Sequence, residues 1–137
     1  MSIVLDASMA IGWLFADERA AASRLVLRRV VAEGAFVPSL WRLEVANVLR
    51  NAVRRGRCDV GYADRCLSRL SRLPITVDSD TDAQAWTGTR HLAIAHDLTL
   101  YDAAYLELAV RRARPLATRD TDLVKAATAI GVQLLTC

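Results

Sequence analysis

The chain is poor in the features that mark disulfide-stabilised or membrane-spanning proteins. It has only three cysteines among its 137 residues, Cys58, Cys66 and Cys137, and they form no C-x-x-C pair. An odd, scattered set argues against a disulfide framework or a zinc site and is typical of a reducing compartment. No apolar run approaches the roughly 20 residues that span a bilayer. Because no basic region precedes an apolar stretch at the amino terminus, we expect a cytoplasmic protein without membrane association.

Lysine is almost absent, since arginine supplies seventeen of the eighteen basic residues and Lys125 the other. The net charge of +3 permits a polyanionic partner without demonstrating one. Hydrophobic residues make up 53% of the chain and charged residues 24%, which argues against disorder. We therefore expect a single domain over residues 1–137 with a sizeable core.

Short apolar segments alternate with longer segments of helical periodicity. Strands are predicted at 1–5, 35–37, 75–77, 116–117 and 132–135. Helices are predicted at 7–15, 19–33, 40–55, 60–73, 80–95, 100–112 and 121–129. Such alternation is typical of a parallel sheet covered on both faces, and two helices follow one another before the third strand. The predicted fold is a three-layer α/β/α sandwich with a short-stranded, mainly parallel central sheet and a helical arm.

Four acids stand beside apolar runs or at predicted helix starts: Asp6, Glu44, Asp102 and Asp120. Functional residues of α/β folds gather at the carboxyl edge of the sheet. Carboxylates gathered there repel one another unless a cation joins them. The first hypothesis is therefore a site for a divalent metal ion, and a hard ion such as Mg²⁺ or Mn²⁺ suits an all-oxygen site.

Three of these acids also have an ordinary explanation as helix caps. Asp6 and Asp120 each precede a predicted helix, where an N-cap stabilises the protein by about 1 kcal/mol. Asp102 lies three residues after Thr99, in the arrangement of a capping box. Taken singly, each of the three could be only a cap.

Glu44 is harder to explain by local structure, because the rest of its helix is broadly apolar. A narrow polar stripe runs along this helix at spacings of three and four: Glu44, Asn47, Asn51 and Arg54. The stripe is either a solvated face or a surface turned toward a cleft. In the second case the Asn side chains would orient a ligand or hold the carboxylate.

Four segments, taken in chain order, resemble the motifs of PIN-domain ribonucleases, in particular the VapC-type toxins of bacterial toxin–antitoxin pairs. They are IVLDAS at 3–8, LWRLEVAN at 40–47, LYDAAYLELA at 100–109 and LATRD at 116–120. The resemblance covers essentially the whole chain, and none of the four acids departs from it. Ser8 and Thr118 match hydroxyl positions of the pattern, whereas Asp122 is less fixed in the family.

The resemblance implies a PIN-like fold and a Mg²⁺-dependent endoribonuclease, with Mn²⁺ as a possible substitute. Its catalytic and metal-binding residues would be Asp6, Glu44, Asp102 and Asp120. Its supporting residues would be Ser8, Asn47, Thr118 and Asp122. It also implies a toxin that is neutralised by a cognate antitoxin and forms a homodimer. The RNA target and the number of metal ions stay undetermined.

Two groups of arginines are candidates for contacts with RNA phosphates. Arg50, Arg54, Arg55 and Arg57 lie at the end of the helix that carries Glu44, and Arg111, Arg112 and Arg114 at the end of the helix that carries Asp102. Arginine also favours the carboxyl end of a helix for purely structural reasons. Trp13, Trp41 and Trp86 are expected in the core rather than as base-stacking surfaces.

Other interpretations of the same acids were weighed against the resemblance. A receiver-like domain would need a lysine after the last strand, but Lys125 lies in a predicted helix before it. A phosphatase of the haloacid-dehalogenase type would need an aspartate where Ser8 stands. A housekeeping RNA-processing nuclease and a non-catalytic binding module of the same fold stay as alternatives.

Overall fold

The computed structural model describes residues 1–15 and 21–135, and its centre is a five-stranded sheet. The strands are β1 (Ile3–Leu5), β2 (Ala35–Val37), β3 (Ile75–Val77), β4 (Leu116–Ala117) and β5 (Leu134–Leu135). They are ordered β3-β2-β1-β4-β5, and all four pairings are parallel. The predicted parallel sheet of short strands is therefore confirmed.

The helices fall into two groups. The first consists of α1 (Ala7–Leu14), α2 (Ala21–Glu33), α3 (Trp41–Arg54) and α4 (Val60–Ser71). The second consists of α5 (Thr81–Gln84), a π-helical turn (Ala85–Thr89), α6 (Arg90–His96), α7 (Leu100–Arg112) and α8 (Thr121–Ile130). Helix α1 contacts α2 and α3, whereas α5, α6 and α8 contact α7. The sandwich is confirmed, and α3 with α4 forms the predicted helical arm.

Strand β1 lies at the centre of both the sheet and the core. Its three residues have no exposed surface, as expected for a strand covered on both faces. Helix α7 packs against β1 and β4 and buries every residue from 103 to 109. Thr99 caps this helix, because its Oγ1 accepts a hydrogen bond from the backbone N–H of Asp102 at 3.1 Å. The cap fixes where α7 begins and therefore where Asp102 stands.

Most boundaries differ from the predicted ones by one or two residues, but the predicted helix 80–95 is divided. It consists of α5, the π-helical turn and α6. Gly88 lies in that turn, where a Cβ would be 3.2 Å from Gln84 Oε1 and 3.6 Å from Glu107 Cγ. Because Gly88 has no Cβ, the turn can lie close to α7, and the backbone there is π-helical instead of α-helical. The predicted helix start at Arg19 and the cysteine Cys137 lie outside the described residues.

One of the three tryptophans is not in the core. Trp13 and Trp41 are 8% and 4% exposed, but Trp86 in the π-helical turn is 86% exposed. The prediction of a buried Trp86 is wrong because Gly88 occupies the side of the turn that meets α7. Trp86 is two positions from Gly88, so its side chain lies on a different side of the turn and is exposed to solvent.

None of the helices that the structure describes combines the length and apolarity needed to cross a membrane.

A buried acid that the sequence did not reveal joins the end of β3 to α7. The side chain of Asp78 has no exposed surface. It accepts hydrogen bonds from Arg111 Nη2 at 2.6 Å, from Arg112 Nη2 at 3.1 Å and from Thr81 Oγ1 at 3.0 Å. Burial acts to raise the pKa of Asp78, but these donors overcome it and lower the pKa to about 2. Asp78 is therefore charged and fully paired.

This network gives Arg111 and Arg112 a structural role at the carboxyl end of α7. Arg111 also donates to Glu107 at 2.7 Å, and the guanidinium of Arg112 lies over the ring of Phe36 at 4.1 Å. Both arginines therefore hold this end of α7 in place. Their contact with RNA stays a prediction.

We expect Asp78→Asn to lower the free energy of unfolding at neutral pH by about 2 kcal/mol, because it leaves two guanidinium groups without their carboxylate. The pKa of Asp78 is lower in the folded protein than in the unfolded chain. Its contribution is therefore present above about pH 4 and is lost as the pH falls toward about 2. Urea denaturation at a series of pH values from about 7 down to about 2 measures both effects, and the difference between the two proteins should shrink as the pH approaches about 2.

Asp80→Asn is the matched control, because its carboxylate is exposed and 3.9 Å from Arg111. An equal loss of stability in the Asp78 and Asp80 variants would contradict the role given to Asp78.

Candidate functional site

All four predicted acids line one cleft of about 420 Å³. Its walls are formed by Asp6, Ala7, Ser8, Ile11, Glu44, Asn47, Val48, Asp102, Arg119 and Asp120. Asp6 directly follows β1, and Asp120 follows the neighbouring parallel strand β4. Glu44 and Asp102 lie in the first turns of α3 and α7. The fold thus brings together side chains from four separate parts of the sequence.

Asp6 is the most deeply buried of the four acids, at 5% exposure. It stands at the N-cap position of α1, but its side chain makes no capping bond among the described residues. Its Oδ2 instead accepts hydrogen bonds from Ser8 Oγ and Thr118 Oγ1, both at 2.7 Å. Asp6 is therefore held by two side-chain hydroxyls and is more than a helix cap, and both hydroxyl residues lie where supporting residues were predicted.

The two hydroxyls also connect Asp6 to the loop after β4. Ser8 Oγ accepts a hydrogen bond from the backbone N–H of Arg119, and Thr118 Oγ1 accepts one from that of Asp120, both at 3.0 Å. Each hydroxyl therefore donates to the carboxylate of Asp6 and accepts from a backbone N–H of the loop after β4. This arrangement fixes the position of Asp120 relative to Asp6.

Asp120 and Asp102 combine a place in the cleft with a local structural role. Asp120 caps α8, because its Oδ1 accepts from the backbone N–H groups of Asp122 and Leu123 at 2.9 and 3.1 Å. The backbone N–H of Asp102 donates to Thr99 Oγ1 in the cap of α7. Capping does not exclude binding, since a carboxylate offers about four lone-pair sites. Asp122 is exposed and stands outside the cleft walls.

Glu44 is held by Tyr105, a residue that the sequence analysis missed. Tyr105 Oη donates to Glu44 Oε1 at 2.5 Å, and Tyr105 has no exposed surface. Burial, followed by the charges of Asp6 and Glu44, raises the pKa of Tyr105, so the phenol keeps its proton. The available signal was its spacing of three from Asp102, which places both side chains on the same face of α7.

Arg119 is the second residue that the sequence analysis missed. It is the only basic residue among the described residues that line the cleft. Its guanidinium lies against α1 at Gly12, where a Cβ would be 2.5 Å from Arg119 Nη1. Glycine therefore leaves the space that this side chain occupies. The sequence feature that could have identified Arg119 is its position between Thr118 and Asp120, which were both predicted site residues.

The polar stripe of α3 enters the cleft only at its beginning. Glu44 and Asn47 line the cleft, whereas Asn51 and Arg54 do not. Three arginines of the predicted RNA-binding group are exposed at the end of this helix: Arg50, Arg54 and Arg55. Their contact with RNA stays a prediction. Arg57 lies with its guanidinium 3.9 Å from the centre of the Phe15 ring.

The acids of the cleft raise one another's pKa values. Burial is the largest cause of the raised pKa of Asp6, Glu44 and Asp102. The neighbouring carboxylates add to it, with Asp120 acting on Asp6 and Asp102. The hydrogen bonds to Asp6 and Glu44 act in the opposite direction but do not cancel the effect. The cleft therefore holds negative charge that a cation would stabilise.

The donor set of the cleft fits a hard divalent cation, because its acidic groups offer oxygen atoms only. In the part of the chain that the structure describes, no three acidic, histidine or cysteine side chains are grouped closely enough to hold an ion by themselves. Mg²⁺ usually keeps several waters and takes one or two carboxylates directly. The arrangement is compatible with such a partly hydrated ion.

The chain matches the PIN domain family model over residues 3–129. It is 32% identical to Ribonuclease VapC3 of Mycobacterium tuberculosis over 133 residues, which cover 94% of this chain and 92% of that protein. The crystal structure of PAE2754 from Pyrobaculum aerophilum is similar with a TM-score of 0.71 and 25% identity, over 98% of this chain and 84% of that chain. VapBC2 from Rickettsia felis, bound to a DNA fragment from their promoter, has a TM-score of 0.69 at 14% identity, over 100% and 99% of the two chains. The last similarity shows the fold alone.

We expect Asp6→Asn to raise the melting temperature in EDTA at about pH 8, because it removes a buried charge that the folded protein disfavours. The pKa of Asp6 is higher in the folded protein than in the unfolded chain. The wild type therefore loses stability as the pH rises from about 4 through this raised pKa, whereas the asparagine carries no such charge. Thermal denaturation between about pH 4 and pH 8 measures the difference, which should vanish at the acid end.

Asp64→Asn serves as the control, because Asp64 is exposed on α4. A lower melting temperature of Asp6→Asn at every pH would show that the carboxylate stabilises the metal-free protein instead.

Proposed function

Because this chain belongs to the PIN-domain family, we propose that it is a metal-dependent endoribonuclease that hydrolyses RNA phosphodiester bonds. The observation that carries the proposal is the meeting of four acids from separate parts of the chain in one cleft: Asp6, Glu44, Asp102 and Asp120. The 32% identity to a protein named as a ribonuclease, over almost the whole length of both chains, supports the same activity here.

We propose Mg²⁺ as the ion, with Mn²⁺ as a substitute. The four acids of the cleft would hold it, some of them through water. When bound, the ion supplies activation of a water molecule and neutralisation of the charge that develops on the phosphate. The pKa values of Asp6, Glu44 and Asp102 are raised first by burial and then by the neighbouring carboxylates, and a bound cation would oppose both effects.

The residues next to these acids would position them, and they offer no side chain that is well placed to attack the phosphate. Ser8 and Thr118 occupy Oδ2 of Asp6 and hold the carboxylate in one orientation. The Ser8 hydroxyl already donates to Asp6 and accepts from Arg119, so it is poorly placed to attack phosphorus. No cysteine or histidine is among the described residues that line the cleft. Water is therefore the nucleophile in the proposed reaction.

Arg119 would hold the RNA next to the acids. A polyanion must approach a negative cleft, and a guanidinium at its wall binds a phosphate by paired hydrogen bonds. The exposed arginines at the end of α3 would extend this contact along the strand: Arg50, Arg54 and Arg55. Asn47, exposed at the cleft, would complete the contact with a neutral donor.

We further propose that the protein is the toxin of a VapBC-type pair and is neutralised by a cognate antitoxin. The similarity to VapC3 supports this role, and VapBC2 shares the fold. A homodimer and a cytoplasmic location belong to the same proposal. The presence of all four acids supports a catalytic protein over a binding module.

We expect Asp6→Asn and Asp102→Asn each to lower Mg²⁺-dependent cleavage of single-stranded RNA by at least about 100-fold, because each removes a charged ligand without changing side-chain size. Cleavage assays on purified proteins, with circular dichroism to verify folding, measure the effect. Asp64→Asn should keep the activity of the wild type. Full activity in both cleft variants, or a wild type that does not cut RNA, would contradict the proposed function.

We expect Arg119→Met to raise KM for RNA by about 10-fold with a smaller change in kcat, because it removes one phosphate contact. In an Asp102→Asn background, which prevents cleavage, the slope of log affinity against log salt should fall by about 0.7. Gly12→Ala should act in the same direction, since a Cβ there meets the guanidinium of Arg119.

Fluorescence anisotropy with labelled RNA measures the binding of each variant. Arg28→Met is the control, because Arg28 is exposed on α2 and does not line the cleft. An equal change of the salt slope in the Arg119 and Arg28 variants would contradict a specific phosphate contact.

A further inference from the structure

Tyr105 adjoins three of the chain segments that carry the acids of the cleft. Its Oη donates to Glu44 Oε1 at 2.5 Å. The backbone amide of Ala7, which directly follows Asp6, interacts with the same phenol oxygen. Tyr105 also lies one turn after Asp102 on α7. A single buried hydroxyl thus joins the start of α1, the first turn of α3 and the first turn of α7.

The charges around Glu44 act to drive its carboxylate out of the cleft. Asp6 and Asp102 both repel it, because the three carboxylates line the same cleft. Glu44 is only half-buried, so solvent offers its carboxylate an alternative environment. Among the described hydrogen bonds, the one that Tyr105 donates to Glu44 opposes this movement.

The bond also leaves part of the carboxylate for a ligand. A phenol has one proton to donate, and it is directed to Oε1 of Glu44. The described hydrogen bonds of Glu44 do not use Oε2. A side chain with several rotatable bonds loses conformational entropy when it is fixed. If Glu44 is already fixed by Tyr105, this entropy is not lost when an ion binds.

We propose that Tyr105 is a positioning residue that holds Glu44 in the cleft against the repulsion of Asp6 and Asp102, and thereby sets the affinity of the cleft for Mg²⁺. This inference rests on the proposed function. It assigns to Tyr105 no contact with the RNA or with the reacting phosphate. Its effect is on the metal-free site, before the substrate arrives.

The test is Tyr105→Phe, with Tyr101→Phe as the matched control. Both changes remove one phenol hydroxyl from α7, but Tyr101 is 68% exposed. Isothermal titration with MgCl₂ in the absence of RNA should show a Kd about 10-fold higher for Tyr105→Phe and unchanged for Tyr101→Phe. RNA cleavage by Tyr105→Phe should be reduced at limiting Mg²⁺ and restored at saturating Mg²⁺. A role in core stability alone would not give this recovery.

A double-mutant cycle shows whether Tyr105 acts through Glu44. In a Glu44→Ala background, Tyr105→Phe should cause no further change in the Kd for Mg²⁺. An equal Kd for wild type and Tyr105→Phe, or the same loss in both backgrounds, would overturn the inference while leaving the proposed function intact. A wild type that neither binds Mg²⁺ nor cuts RNA would overturn both.

A second pair of variants covers the case in which Tyr105→Phe does not fold. Tyr105→Gln keeps a donor, whereas Tyr105→Met has a similar size and none. The glutamine variant should bind Mg²⁺ more tightly than the methionine variant. Equal affinities of these two variants would also overturn the inference.

Discussion

Repulsion among carboxylates that share one partly buried cleft is the constraint on which the local structure depends. Three of the four acids there are held by hydrogen bonds that oppose their displacement. Two hydroxyls hold Asp6, and a phenol holds Glu44. Asp120 is held by the backbone of the helix that it caps. The stability of the fold is therefore used in part to maintain a charge arrangement that is unfavourable without a cation.

Helix α7 transmits this constraint to the rest of the molecule, because it is fixed at both ends. Thr99 caps its beginning, and Asp78 binds the arginines at its carboxyl end. Between these ends it is buried against the two central strands. The two acidic regions thus differ in their electrostatics. Asp78 is neutralised by guanidinium groups and supports the fold. The acids of the cleft raise one another's pKa values, and the described ion pairs include none of them.

The sequence predicted the backbone and the acids well, because both depend on local pattern. Short apolar runs located the strands, and each acid was recognisable from the run or helix start beside it. The partners of those acids depend on contacts across elements, which periodicity does not report. No periodicity in the sequence marks Tyr105 as the partner of Glu44, or Asp78 as the partner of two arginines. Trp86 was misplaced for the same reason, since its exposure depends on how Gly88 meets α7.

The hydrogen bond between Thr118 and Asp6 joins residues 112 positions apart, which has a consequence for synthesis of the chain. Strand β1 is made before its neighbour β4 and before the loop that holds Asp6. A nascent chain lacking them has β1 paired on one side only, and Asp6 without its partner. Parallel pairings across such separations also form slowly, because a long loop must close first. The acidic cleft is therefore assembled only after β4 and the loop that follows it have left the ribosome, so the ribosome that makes the protein holds an incomplete site until then.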